Sequence, residues 1–253
     1  MSGILLGLIG GGVSGLATTI GSVPILFKNS KIGNFLQKVN MDFIIGLMLS
    51  AAAFTLILPA FENVYHLNSD NFLGVEILKV TVCLFLGVAF IQGVGKFIEK
   101  ILPATDDLNQ KKKAILFIVA MMVHNFPEGL ASGAAIAIPG SESYSLLGAI
   151  ALQNIPEGFT TALSFFGLGL SPLFAFFGSF LTGVVELVGG MIGGYLTSSI
   201  EGVLPFLMAF AGGAMMNVVI VELIERLKFE KSLIFLRPSF LTGVAVVIVF
   251  NKI

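Results

Sequence analysis

Two six-residue segments carry most of the chemistry in this sequence. His-Asn-Phe-Pro-Glu-Gly occupies positions 124 to 129, and Gln-Asn-Ile-Pro-Glu-Gly occupies 153 to 158. In an α-helix, residues i and i+4 lie on one face about 6 Å apart along the axis, so His124 stacks with Glu128 and Gln153 with Glu157. Asn125 and Asn154 follow on the adjoining faces. The proline at the fourth position removes an N–H and clashes with the carbonyl four residues back, at Val123 and Leu152, leaving those oxygens able to face a cation. Imidazole, carboxylate and amide oxygen together describe a borderline site for first-row divalent ions such as Zn²⁺, Fe²⁺, Mn²⁺ or Co²⁺. The absence of thiolates suits a site that must release its ion.

The elements that position these groups are apolar helices. The chain has 253 residues, of which 56% are hydrophobic and 11% charged, and its mean hydropathy is +0.98. This excludes a soluble globular domain and indicates an all-α, polytopic membrane protein with a single transmembrane domain over 1–253. Spans of about 20 apolar residues fall at roughly 3–27, 41–61, 75–98, 113–138, 144–169, 172–197, 202–225 and 232–251. The last is interrupted at its start by Arg237 and Pro238, and Arg237 can snorkel to the interface. The first stretch lacks a basic leader region and is expected to remain as a helix. Cys83, the single cysteine, excludes an internal disulfide and reads as a thiol packed in an apolar helix.

Charge placement gives an orientation. Lys28, Lys31 and Lys38, then Lys96, Lys100, Lys111, Lys112 and Lys113, then Arg226, Lys228, Lys231 and Arg237 lie around the first, third and seventh connections. The even connections carry Glu62, Asp70, Glu142 and Glu201 instead, and only Lys79 and Lys252 break the pattern. The positive-inside rule places the odd loops in the cytoplasm and both termini outside, in a multi-pass cell-membrane protein. Pro103 to Lys113 is the one long polar loop, and His66 reads as a surface histidine of an outside loop. Glycines such as Gly10, Gly11, Gly12, Gly183, Gly189, Gly190, Gly193, Gly194, Gly212 and Gly213 predict close helix packing. Phe165, Phe166, Phe174, Phe176, Phe177 and Phe180 read as lipid-facing or packing residues.

Glu128, Glu157, Glu186 and, near a helix end, Glu222 lie within spans. A central ionised acid costs about 2.5–3.5 kcal/mol, and no intramembrane Lys or Arg is placed to offset it. Protonation, water or a bound cation must do so. Three functions fit such a cluster: a metal-ion transporter, a proton-coupled carrier of a small organic solute, and an intramembrane metal-dependent hydrolase. The hydrolase is the poorest fit, since His124 is the only histidine in a span and no His-Glu-x-x-His pattern is present. Ser50, Thr55, Ser132 and Ser164 are expected to bond to backbone.

The paired motifs, with Glu186 in the sixth span, resemble the ZIP (Zrt-, Irt-like protein) family of divalent metal transporters, in its prokaryotic GufA-like branch. The resemblance extends over essentially the whole chain, including eight spans, outside termini and a polar third loop. It implies import of divalent cations toward the cytoplasm, zinc foremost, with iron, manganese, cobalt and cadmium as further cargo. The metal is substrate, no catalytic cofactor is implied, and the protein is not an enzyme. His124, Glu128, Gln153 and Glu157 would form a first ion position with Met48 as a soft ligand. Asn125, Asn154 and Glu186 would form a second, with Glu128 and Glu157 bridging. Where some relatives have aspartate this chain has Asn154, so two divalent ions and three glutamates sum to +1 and the second ion is held more weakly. Glu62, with Thr55 beneath it, is a candidate entrance; Glu99 and Glu222 are candidate exit groups. The expected partners are divalent ions and the lipid bilayer, with no nucleic acid, and a homodimer is left open.

Overall fold

The structure, a computed structural model, describes residues 2–27, 41–67, 73–101, 110–138, 140–229 and 234–250. Lys28, Lys31, Lys38, Asp70, most of the 103–113 loop, Lys231 and Lys252 lie outside the described residues. So do the side chains of His66, Glu99, Lys111, Lys112, Lys113, Glu142, Arg226 and Lys228.

The described chain is helical, in eight helices in the expected order. α1 is Gly3–Ser22, continued by a 3₁₀ turn over Val23–Phe27. α2 begins as Met41–Ser50, widens into a π-helical stretch at Ala51–Ile57, and continues as Leu58–Leu67. Pro59 supplies a reason for the wide turn: its ring clashes with the carbonyl of Thr55, and opening the turn ahead of it relieves the clash. α3 is Leu73–Ile101, α4 Gln110–Ile136, α5 Ser141–Gly167, α6 Pro172–Ser199 and α7 Leu204–Phe229.

α8 is Pro238–Phe250, only 13 residues, and starts six positions later than the sequence suggests. A 3₁₀ turn at Ile234–Leu236 precedes it, and Pro238 takes the first helical position, where its missing N–H costs nothing. Arg237 does not simply snorkel to the interface. Its Nη1 lies 2.9 Å from Oδ2 of Asp42, a wholly buried residue at the start of α2.

Five helices are long and apolar enough to cross a bilayer among the described residues: α1 with its extension, α2, α3, α6 and α7. α4 and α5 each have the length, at 27 residues, and in α5 the polar residues Gln153, Asn154 and Glu157 lower the mean hydropathy. That is the expected cost of carrying a site.

The helices form two groups. α1, α4, α5 and α6 pack together, with α1 on α6 and α4 on α6 as the most extensive contacts; α2, α3, α7 and α8 form the other group. Glycine permits the close approach inside the first group. A Cβ on Gly190 would lie 2.3 Å from the Gly7 carbonyl oxygen, and one on Gly133 would lie 2.1 Å from that of Gly190. Gly12 is the exception among the named glycines, with only a leucine side chain at 3.6 Å. Phe174, Phe177 and Phe180 are exposed on α6, as lipid-facing residues should be, while Phe165 is fully buried.

Candidate metal site

The two proline-bearing helices bring their motifs together in the interior. His124, Asn125 and Glu128 of α4, and Gln153, Asn154 and Glu157 of α5, are all buried, as is Glu186 of α6. His124 Nε2 lies 3.0 Å from Glu157 Oε1 and 3.6 Å from Glu128 Oε1. Ligand atoms arranged tetrahedrally around an ion at about 2.0–2.1 Å are about 3.3 Å apart, so the three side chains already stand at ligand spacing. One donor atom from each lies within 4.8 Å of the others.

Gln153 completes the group by donating Nε2 to Glu128 Oε1 at 3.3 Å. Its Oε1, Glu128 Oε2, Glu157 Oε2 and His124 Nδ1 are buried without a hydrogen-bond partner. Buried acceptors are normally satisfied, so the unpartnered oxygens of Gln153, Glu128 and Glu157 around His124 Nε2 suit an electrophile. Among the described ion pairs, Lys79 bonds Glu76 and Arg237 bonds Asp42; neither cation reaches Glu128, Glu157 or Glu186.

Glu186 lies beside this set and is held differently. Its Oε1 accepts from Thr18 Oγ1 at 2.6 Å and Asn125 Nδ2 at 3.0 Å. Its Oε2 accepts from Asn154 Nδ2 at 2.7 Å and from the Ser14 hydroxyl. Backbone packing fixes the position: Cβ atoms on Gly11 of α1 and Gly129 of α4 would lie 2.2 and 2.3 Å from the Glu186 carbonyl oxygen. Ser14 and Thr18 were not picked out by sequence reasoning. The available signal was their i,i+4 spacing on a small-residue face of α1, a face that must meet another helix closely.

A cavity of ≈ 320 Å³ reaches the site from one side. Its walls come from five helices, among them Met48 of α2, Ile98 of α3, His124 of α4, Glu157 and Ser164 of α5, and Glu222 of α7. Apart from His124, at the middle of α4, the lining residues belong to the part of their helix nearest an odd-numbered connection. Above the site, toward the even connections, Ala51, Ala52 and Leu56 of α2 pack with Ala131 and Ala135 of α4, Leu146 and Ile150 of α5, and Met208 and Met215 of α7. The site is therefore reached from the odd side and closed by apolar packing on the even side.

Of the remaining candidates, Met48 and Glu222 line the cavity with His124 and Glu157. Thr55 is buried in the π stretch, outside the cavity lining. Glu62 is exposed further along α2. The side chain of Glu99, on α3, lies outside the described residues. Ser50 bonds the carbonyls of Gly46 and Leu47, as expected of a membrane serine.

The sequence profile of the family described as "ZIP Zinc transporter" matches residues 103–251. The chain belongs to the ZIP family. It is 35% identical over 223 residues to "Zinc transporter GufA" of Myxococcus xanthus, covering 86% of this chain and 87% of that one. It is 29% identical over 222 residues to "Zinc transporter ZIPB" of Bordetella bronchiseptica, covering 86% and 71% of the two chains. It is 29% identical over 237 residues to "Zinc transporter ZupT" of Chlorobium chlorochromatii, covering 85% and 83%. These matches agree with the GufA-like resemblance read from the paired motifs, and they make this ZIP protein a membrane transporter of divalent metal rather than an enzyme.

Proposed function

We propose that this ZIP protein imports divalent metal cations, zinc foremost, across the cell membrane toward the cytoplasm. The ion sits between α4 and α5, held by His124, Glu128, Gln153 and Glu157, with Met48 at the cavity side as a soft ligand. Asn125, Asn154 and Glu186 form a second position beside it. One divalent ion with two carboxylates and a neutral imidazole is electrically neutral. That removes most of the cost of carrying charge through a low-dielectric region.

The observation that carries this reading is the buried His124–Glu128–Glu157 cluster, at ligand spacing, with unpartnered acceptors and no cationic side chain against it. Direction rests on two further points: the cavity runs from the site to the odd-connection ends of the helices, and the basic residues gather at those connections. All eight helices are taken as spans, with both termini outside. Movement of the α1/α4/α5/α6 group against the other four helices would expose the site alternately, with Glu62 and Thr55 on the entrance side and Glu99 and Glu222 on the exit side.

The test is uptake of Zn²⁺, Cd²⁺, Fe²⁺ and Mn²⁺ into proteoliposomes by the wild type and by Glu157→Ala. Saturable uptake that is lost in a folded Glu157→Ala protein is the expected result. Undiminished uptake by that variant would remove the site assignment. Absence of any metal flux from folded wild type would remove the function.

A further inference from the structure

We propose that the α1 hydroxyls of Ser14 and Thr18 act as positioning residues that lock Glu186 into a hydrogen-bonded cluster, so that the chain carries a single divalent ion. This rests on the metal-transport reading and concerns how many ions the site takes.

A carboxylate offers about four acceptor positions. Glu186 has two donors on each oxygen: Thr18 and Asn125 on Oε1, Ser14 and Asn154 on Oε2. Its capacity is filled by side chains, and the residue is completely buried. Ser14 is itself fixed, because Asn154 Nδ2 donates to its Oγ at 2.8 Å. Both asparagines present their amide nitrogens to Glu186, and their Oδ1 atoms have no donor. For a second ion to bind here, Glu186 must shed donors and the amides must turn to offer oxygen. The α1 hydroxyls are the part of this lock that belongs to no ion position. Asn154 strengthens it: an aspartate would repel Glu186, whereas the amide donates to it.

Hydrogen bonds to a charged group are each worth about 1.5–3 kcal/mol, so each one released weakens the second position by roughly ten-fold or more. The four donors stabilise the charge of Glu186 itself, while Glu128 and Glu157 neutralise one divalent ion.

The experiment is calorimetric titration of the full chain in detergent with Zn²⁺, together with elemental analysis of bound zinc. Wild type is expected to bind a single equivalent, and Thr18→Ser, which keeps the hydroxyl, to match it. Ser14→Ala/Thr18→Val is expected to gain a second equivalent, tightened on the order of a hundred-fold for the two bonds removed. Adding Glu186→Gln to that pair should abolish the second equivalent, an effect that altered helix packing alone would not produce. Two equivalents of comparable affinity in wild type would overturn the inference, even if the α1 variants fail to fold. A wild-type isotherm from the folded double variant would overturn it as well. No zinc binding by folded wild type is a distinct result, which removes the proposed function and this inference with it.

Discussion

Glu128→Gln changes one charge and little else, and its effect can be worked from the site. Glu128 is 1% exposed, so solvent cannot take over its role. The substitution keeps the side chain's shape and leaves an amide oxygen for Gln153 Nε2, which now donates to Glu128 Oε1 at 3.3 Å. On the proposed site assignment it removes one of the two carboxylates that neutralise a divalent ion beside His124, leaving the ion and its own ligands at +1, with the Glu186 charge taken up by its four hydrogen-bond donors. An uncompensated central charge costs about 2.5–3.5 kcal/mol, which converts to a loss in zinc affinity of roughly 70- to 400-fold. Calorimetric titration of the purified variant reads the affinity, and vesicle uptake at subsaturating zinc should fall in parallel. Glu62→Gln is the matched control. It removes the same charge from an exposed stretch of α2 and should change affinity by no more than about two-fold. Wild-type affinity in a folded Glu128→Gln protein would refute the charge argument, as would an equal loss in the Glu62→Gln control.

Two further outcomes follow from the architecture. In a Cys83→Ala background, Ser164→Cys on the exposed cavity wall should react with a hydrophilic thiol reagent added from the odd-connection side, whereas Leu56→Cys in the apolar packing should not; equal labelling of both from the even side would contradict the one-sided cavity. Arg237→Ala removes the guanidinium that stands 2.9 Å from the buried Asp42 carboxylate and should destabilise the fold by about 3 kcal/mol, the lower end of the range for breaking a buried pair because 32% of the Arg237 side chain is exposed. The Asp42→Asn/Arg237→Met double variant should recover much of that loss in a thermal melt, and a single variant as stable as wild type would show that the pair does not hold α8 to α2.

The motif residues were legible because their chemistry is local. The four-residue spacing between His124 and Glu128, and between Gln153 and Glu157, put each pair on one face, and the cost of burying acids argued that the two faces must meet. The buried, adjacent positions of all six motif side chains follow from that logic. What stayed hidden depends on partners far away in sequence. Ser14 and Thr18 lie 172 and 168 residues from Glu186. Apart from their i,i+4 spacing on a small-residue face, they resemble the serines and threonines that bond to their own helix, as Thr19 does with Gly15. Asp42 was missed for the same reason: an acid in the first turn of a helix is favoured there anyway and carries no sign of a partner 195 residues away. The late start of α8 was partly legible, since Pro238, which interrupts the eighth span in the sequence, takes the first helical position.

The distribution of small residues bears on how such a protein could move its ion. Within the α1/α4/α5/α6 group the contacts are backbone on backbone: Gly7, Gly11 and Gly15 of α1 meet Gly190, Glu186 and Gly183 of α6, and Gly129 and Gly133 of α4 meet the same helix. Contacts this close leave no room for relative displacement, so Glu128, Glu157 and Glu186 keep their mutual geometry if the group moves. Between the two groups the faces are of another kind. Ala131 and Ala135 of α4 lie in the same apolar cluster as Ala51, Ala52 and Leu56 of α2 and Ala211 and Met215 of α7. Such faces are smooth, and the side chains of alanine, leucine and methionine offer no strong hydrogen bonds that sliding would break. A polar or ionic seam would impose a desolvation cost at every intermediate position, whereas apolar side chains exchange one set of dispersion contacts for another. The tight polar cluster and the small apolar seam thus meet two separate requirements of one carrier: a site whose ligand spacing stays fixed, and a boundary along which that site can be displaced.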